Sequence, residues 1–207
     1  MKRNITTLVI ALTPVFLFAQ TERKGWYANL GLGYSAYKVY VYNYNGGSDA
    51  YDDQQFSQPE IRVGGEKKSF FNKGGFVIDA GAEIVGGIGT KVKRTRADDT
   101  KGWSIGINGL LKAGYKLNSG NIVPVIGVGP YFISLQNTGK DSFSSQVYGA
   151  QGFVGIDLKV NGIIITPNIH FGIASWSTSD VAIGRADNVQ NGQPSMFQAG
   201  LKLGIRL

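Results

Sequence analysis

One histidine is the only side chain in this sequence whose ordinary titration lies near neutral pH, so it is the first candidate for proton-transfer chemistry. A histidine base needs a nucleophile or an acid within hydrogen-bond reach. His170 is flanked by Ile169 and Phe171, with no serine beside it. We therefore expect a satisfied interior histidine and no enzymatic activity. Asp49, Asp52 and Asp53 are candidates for calcium, but they lack the regular oxygen-ligand spacing of a calcium loop and read as a solvated acidic tip. Gly86, Gly87 and Gly89 form no nucleotide fingerprint, because no strand-turn-helix pattern surrounds them. The chain has no cysteine, which excludes disulfides, thiol chemistry and a cysteine-linked lipid anchor. No cofactor and no metal are expected.

The elements that must carry these residues alternate with period two, the signature of strands with two unlike faces. Over residues 103–117, Trp103, Ile105, Ile107, Leu111, Tyr115 and Leu117 share one face. Ser104, Asn108, Lys112 and Lys116 share the other. The end of the chain repeats this, with Phe197, Leu201, Leu203 and Ile205 opposed to Gln198, Lys202 and Arg206. Near the front, Trp26, Leu30, Leu32 and Tyr34 oppose Tyr27, Asn29 and Ser35.

One hairpin sets its own register. Asn161-Gly162 between Val160 and Ile163 is a strong signal for a tight two-residue turn. Pairing then runs Val160 with Ile163, Leu158 with Ile165, Ile156 with Pro167, Val154 with Ile169, Gly152 with Phe171 and Ala150 with Ile173, all on the apolar face. Asp157 with Thr166, Gly155 with Asn168 and Phe153 with His170 fall on the other. A slip of one residue would set the two faces against each other. Pro167 lacks a ladder donor and predicts a bulge or a missing rung.

Connections alternate in length. Residues 118–120 and 161–162 are short, residues 138–145 and 177–194 are longer and polar, and residues 43–73 form the longest stretch. One region admits two readings. Ile78, Ala80, Ala82, Ile84, Ile88 and Val92 keep one parity, which suits a single long strand from Phe76 with an earlier partner inside residues 60–71. Alternatively, Gly86-Gly87 is a turn between two strands. The first reading sets Lys67 or Glu66 near mid-strand, which lipid would oppose, and both readings give eight strands.

Lys2 and Arg3, the apolar run over residues 8–18, and Ala19 before Gln20 describe a secretory signal peptide, with Pro14 breaking any spanning helix. We expect residues 1–19 to be the signal peptide and residues 20–207 one β-barrel domain. Loss of Lys2 and Arg3 takes the formal charge from +7 to +5, a diffuse excess that does not point to nucleic acid. Thirty glycines and 12% aromatic residues suit close-packed strands with rings at chosen points.

Alternation alone leaves open which face meets solvent, and a soluble barrel would hide its apolar side. Here that side carries no charge in the clearest strands, and Trp26, Tyr34, Trp103, Tyr115, Tyr148 and Phe171 lie toward strand ends, as an interfacial girdle requires. The expected fold is therefore all-β: a transmembrane antiparallel up-and-down β-barrel of eight strands. The polar face then collects Asp79, Glu83, Lys112, Lys116, Asp157, Lys159, His170, Lys202 and Arg206 in the lumen. A lumen this narrow is filled by side chains, so paired charges acting as a structural plug are expected ahead of a conduit.

This pattern resembles the small eight-stranded outer-membrane barrels, of which outer-membrane protein X and the membrane domain of outer-membrane protein A are the familiar types. The likeness covers residues 26–207. The closing FQAGLKLGIRL resembles the terminal signal read by the outer-membrane assembly machinery, departing from it by ending in leucine instead of an aromatic residue. The resemblance implies export to the bacterial outer membrane, contact with outer-membrane lipid and lipopolysaccharide, and four external loops open to an unidentified surface ligand. Lys91, Lys93, Arg94 and Arg96 form a basic run suited to lipopolysaccharide phosphates, though a polar strand end explains them equally well. The expected role is structural or surface-interacting. A narrow porin-like pore is the alternative, and a lipid A-modifying enzyme built around His170 stands behind both.

Overall fold

A computed structural model describes residues 23–43, 50–94, 100–138, 143–181 and 195–207. The signal-peptide region lies outside them, as do Asp49 and Arg96. Eight strands follow in chain order: β1 Gly25–Asn43, β2 Ala50–Lys73, β3 Phe76–Arg94, β4 Thr100–Tyr115, β5 Ile122–Thr138, β6 Phe143–Val160, β7 Ile163–Val181 and β8 Ser195–Arg206. Each pairs antiparallel with its neighbours in sequence, and β8 returns to β1 to close the ring. Closure satisfies the edges that a spanning sheet cannot leave bare in hydrocarbon.

The barrel has two unlike ends. At one, Gly74-Gly75 and Asn161-Gly162 make two-residue turns, each with both residues at positive φ, the backbone shape that matches strand twist. A short 3-10 turn, Asn118–Gly120, joins β4 to β5 at the same end. The opposite end carries the connections between β1 and β2, β3 and β4, β5 and β6, and β7 and β8. We refer to these as the turn end and the loop end.

The β6–β7 register follows the expected pairing from Val160↔Ile163 through Val154↔Ile169 to Gly152↔Phe171. Beside Pro167 the ladder skips its rungs between Gly155↔Asn168 and Leu158↔Ile165, as a residue without an N–H dictates. A bulge between Ala150 and Gln151 then sets Ala150 opposite Ala174 instead of Ile173. The Phe171 ring lies where a Cβ on Gly152 would stand, 2.5 Å away, so glycine there makes room for the ring.

Three connections are shorter than the sequence implies. β2 occupies Ala50–Lys73, most of what reads as the longest connection. Likewise β5 runs to Thr138, β6 starts at Phe143, and β7 continues to Val181. Of the two readings for residues 76–94, one long strand is observed, and Gly86-Gly87 lies within it.

Burial is inverted relative to a water-soluble protein. Leu32, Ile105, Ile107, Ile126, Leu201 and Ile205 are exposed on the outside, while Asp79, Glu83, Lys112, Asp157 and Lys202 are buried inside. The expected girdle residues Trp26, Tyr34, Trp103, Tyr115 and Phe171 are exposed at the band's edges, and Tyr148 is half-buried. At about 3.3 Å per residue and a tilt of about 40°, the Trp103-to-Tyr115 span of β4 covers roughly 30 Å along the axis, close to a hydrocarbon core. Lys101 lies beyond it on β4, and on β5 the outward face turns polar at Ser134 and Gln136, opposite Ile105 and Trp103. This is a transmembrane β-barrel.

Candidate functional site

Among the described residues the lumen gathers the buried ionisable groups, and β2 supplies more of them than any other strand. Glu60, Arg62, Glu66 and Lys68 alternate along its inner face with Ile61, Val63, Gly65 and Lys67 on its outer face. A strand with charges on one side and greasy residues on the other is what a lipid-facing wall around a polar interior requires. Lys67 points outward at the turn-end margin, where its ammonium lies 5.1 Å from the Trp26 ring centroid. Glu66 points inward, so neither residue puts a charge against acyl chains.

A bulge re-aims the end of β2. The pairing shifts between Lys67 and Phe71, and Ser69 takes φ 51°, so Lys68 and Ser69 are buried in succession. The Ser69 N–H donates to Asp79 Oδ1 at 2.7 Å, and its hydroxyl accepts from Arg23 at 3.2 Å.

Arg23 lies just before β1 and reaches into the turn-end mouth. Its guanidinium donates to both Asp79 oxygens, at 2.9 and 2.5 Å, and also to Asp157. Burial works against its charge, but Asp157 and Asp79 outweigh that and raise its pKa above the usual arginine value. From Asp157 the network continues to Lys68 at 2.6 Å, then from Lys68 to Glu66 at 2.8 Å. Glu66 also pairs with Lys112 and with Lys202, the latter at 3.1 Å, and Lys202 reaches Glu83 at 2.9 Å.

Asp79, Asp157, Glu66 and Glu83 thus face Arg23, Lys68, Lys112 and Lys202, four carboxylates against four cations. The cluster is neutral as a whole. The Phe153 ring lies beneath two of its ammonium groups, 5.0 Å from Lys112 and 5.8 Å from Lys202. Above it, Arg62 donates to Glu60 at 2.5 Å and to Asn168 at 2.8 Å. Asn108, Gln198 and Tyr37 continue the chain of hydrogen bonds. Toward the loop end the interior turns apolar, where Tyr37, Val39, Phe56, Ile133, Leu135 and Val147 belong to one buried cluster.

Among the side chains expected in the lumen, Asp79, Glu83, Lys112, Asp157 and Lys202 meet in this one cluster. Lys159 is buried nearby, and His170 is buried higher up. Two expectations need correction. Arg206 has inward parity but is exposed, because it is the last residue of β8 and the wall ends there. Lys116 is half-exposed past the end of β4, where its N–H donates to Gly75 O at 2.8 Å.

His170 Nδ1 lies 3.0 Å from Gln151 Oε1, and its ring meets Phe153 edge-on at 4.9 Å. Its Nε2 has no hydrogen-bond partner among the described residues. No group of three or more potential metal ligands occurs among the described residues, and no helix there is long and apolar enough to cross a membrane.

No family model matches this sequence. No curated protein matches it either. Two solved barrels are similar in structure. One is Ail, the attachment invasion locus protein of Yersinia pestis, 9% identical with a TM-score of 0.44, over 89% of this chain and 99% of that one. The other is a deletion mutant of TodX, a monoaromatic hydrocarbon channel, 10% identical with a TM-score of 0.27, over 90% of this chain and 91% of that one. The chain's own closed ring and inverted burial give it the architecture of the small eight-stranded outer-membrane barrels.

Proposed function

We propose that this protein is a non-conducting barrel of the bacterial outer membrane, delivered there through a cleaved signal peptide, whose working surface is its loop end. The filled lumen carries this reading. Ionic groups from the N-terminal approach and from β2, β3, β4, β6 and β8 meet across the axis, and an apolar cluster lies over them toward the loops. Such a plug leaves the external connections, and not the interior, to meet other molecules. Lys91, Lys93 and Lys101 are exposed on the outer face beyond the Trp103 girdle, at the depth where lipopolysaccharide phosphates would lie. Partners under this reading are outer-membrane lipid, lipopolysaccharide, a surface ligand at the loops and, during biogenesis, the outer-membrane assembly machinery.

The role assigned to His170 is structural. Its neighbours Gln151 and Phe153 hold it inside the wall, away from the lipid exterior where an acyl substrate would lie. The reading is tested in planar bilayers. We expect no discrete single-channel events from the refolded protein; channels whose conductance changes with Lys112→Gln or Asp157→Asn would replace the plug with a pore. An altered lipid A acylation pattern in cells making His170→Ala, at unchanged barrel yield, would instead favour the enzyme.

A further inference from the structure

We infer that one side of the turn end is a binding surface for anionic phospholipid, held by Lys24, Lys67, Lys73 and Lys116. This rests on the membrane-barrel reading and adds a lipid preference at the end away from the loops. Lys24 and Lys73 are exposed, and Lys67 and Lys116 are half-exposed. They follow one another along the rim from β1 through β2 and across to the end of β4. The Lys116 N–H to Gly75 O bond ties the β2–β3 turn beside the β4–β5 connection, so these cations form one arc.

Two further observations give the arc its partner. First, the described acids of this half of the barrel are inside: Glu66, Asp79, Glu83 and Asp157 are buried in the lumen and neutralised there. Among the described residues, no aspartate or glutamate side chain is exposed at the turn end to balance the arc. The described side chains of the rim therefore present one sign of charge from the start of β1 to the end of β4. Second, the same strands carry the turn end's exposed rings. Trp26, Phe71, Phe76 and Tyr115 face outward among the lysines, with Trp26 opposite Lys67, Phe76 opposite Lys73 and Tyr115 next to Lys116. Phe71 and Phe76 pack edge-on at 6.2 Å, and Lys67 lies over Trp26. The remaining side of this end presents Ile122 and Ile163 with Asn118 and Asn161, and Arg206 at the end of β8 is the exposed cation next to β1.

Rings settle at the depth of the glycerol and headgroups, and lysine stems carry their ammonium groups outward to phosphate level. A lipid headgroup with net negative charge meets this pairing, and a zwitterionic headgroup gains much less from it. Each lysine near an anionic surface strengthens association roughly five-fold, and the effect falls with added salt.

The test compares full-length mature protein refolded into vesicles of phosphatidylcholine alone with vesicles containing phosphatidylglycerol, reading the urea midpoint by unboiled electrophoretic mobility. The midpoint should be higher in the anionic vesicles, with the difference shrinking at raised salt. Lys67→Gln, Lys73→Gln and Lys116→Gln together should abolish most of that difference. The same lysines changed to arginine should keep it. Equal midpoints in the two vesicles, or a difference that survives the turn-end glutamines, would overturn the inference. A chain giving no compact unboiled band in either vesicle would overturn the membrane reading itself, and this inference with it. Should the glutamine variant not refold, native mass spectrometry of the wild-type protein from mixed vesicles decides: retained phosphatidylglycerol supports the site, and retention in the bulk ratio overturns it.

Discussion

Replacing Arg23 by methionine keeps much of the side chain's bulk and removes its charge from the mouth of the barrel. Asp79 and Asp157 would then share Lys68 alone, at 3.6 and 2.6 Å, and the cluster would carry one uncompensated, buried negative charge. Removing one partner from a buried ion pair costs about 3–5 kcal/mol, because the other charge stays desolvated. The assay is urea unfolding in neutral detergent micelles, followed by unboiled mobility and analysed by linear extrapolation. Adding Asp79→Asn to Arg23→Met removes the orphaned carboxylate and should recover about 1–3 kcal/mol of the loss. Lys24→Met changes the neighbouring, exposed charge and should leave the midpoint where it is. The reasoning fails if Arg23→Met costs no more than Lys24→Met, or if Asp79→Asn deepens the loss instead of relieving it.

Three further outcomes follow from the same geometry. Ile107→Arg on the outer face of β4 should destabilise the barrel by about 2–4 kcal/mol in vesicles, since the new charge faces hydrocarbon; equal urea midpoints would contradict the outward assignment. Gly152→Leu should displace the Phe171 ring and lower the midpoint, and combining it with Phe171→Ala should restore part of the loss. Gly162→Val places a β-branched residue at φ 83° in the β6–β7 turn and should reduce refolding yield, whereas Ile163→Val beside it should not.

The eight-stranded ring was legible from strands whose two faces differ sharply. β4, β8 and the β6–β7 hairpin state their parity in uninterrupted alternation, and Asn161-Gly162 sets the register between two of them. β2 was obscured because its inner face holds the charges of the lumen, so its composition reads as a solvated loop. The signal was present all the same: Glu60, Arg62, Glu66 and Lys68 share one parity, with Ile61 and Val63 on the other. The bulge at Ser69 then breaks that parity where the strand ends, hiding the link to Phe71.

Arg23 could not be found by alternation, since it precedes β1 and enters the lumen only because the closed ring puts β3 and β6 across from it. Glu66 became visible as the hub of the cluster only through the tertiary register. It receives lysines from β2, β4 and β8, and no spacing in the sequence relates those three. Arg206 shows the opposite failure: parity places it inside, but the wall stops before its side chain is covered.

The central claim is that the apolar face meets acyl chains and the ionic face is enclosed. The chain has no cysteine, so single-cysteine variants carry one label each without a background correction. Leu201→Cys and Lys202→Cys differ by one residue on β8 and by face, the first exposed outside and the second buried inside. With an environment-sensitive thiol probe and spin-labelled lipid as quencher, the label at position 201 should be quenched strongly and the label at position 202 weakly. Strong quenching at 202 with protection at 201 would contradict the account.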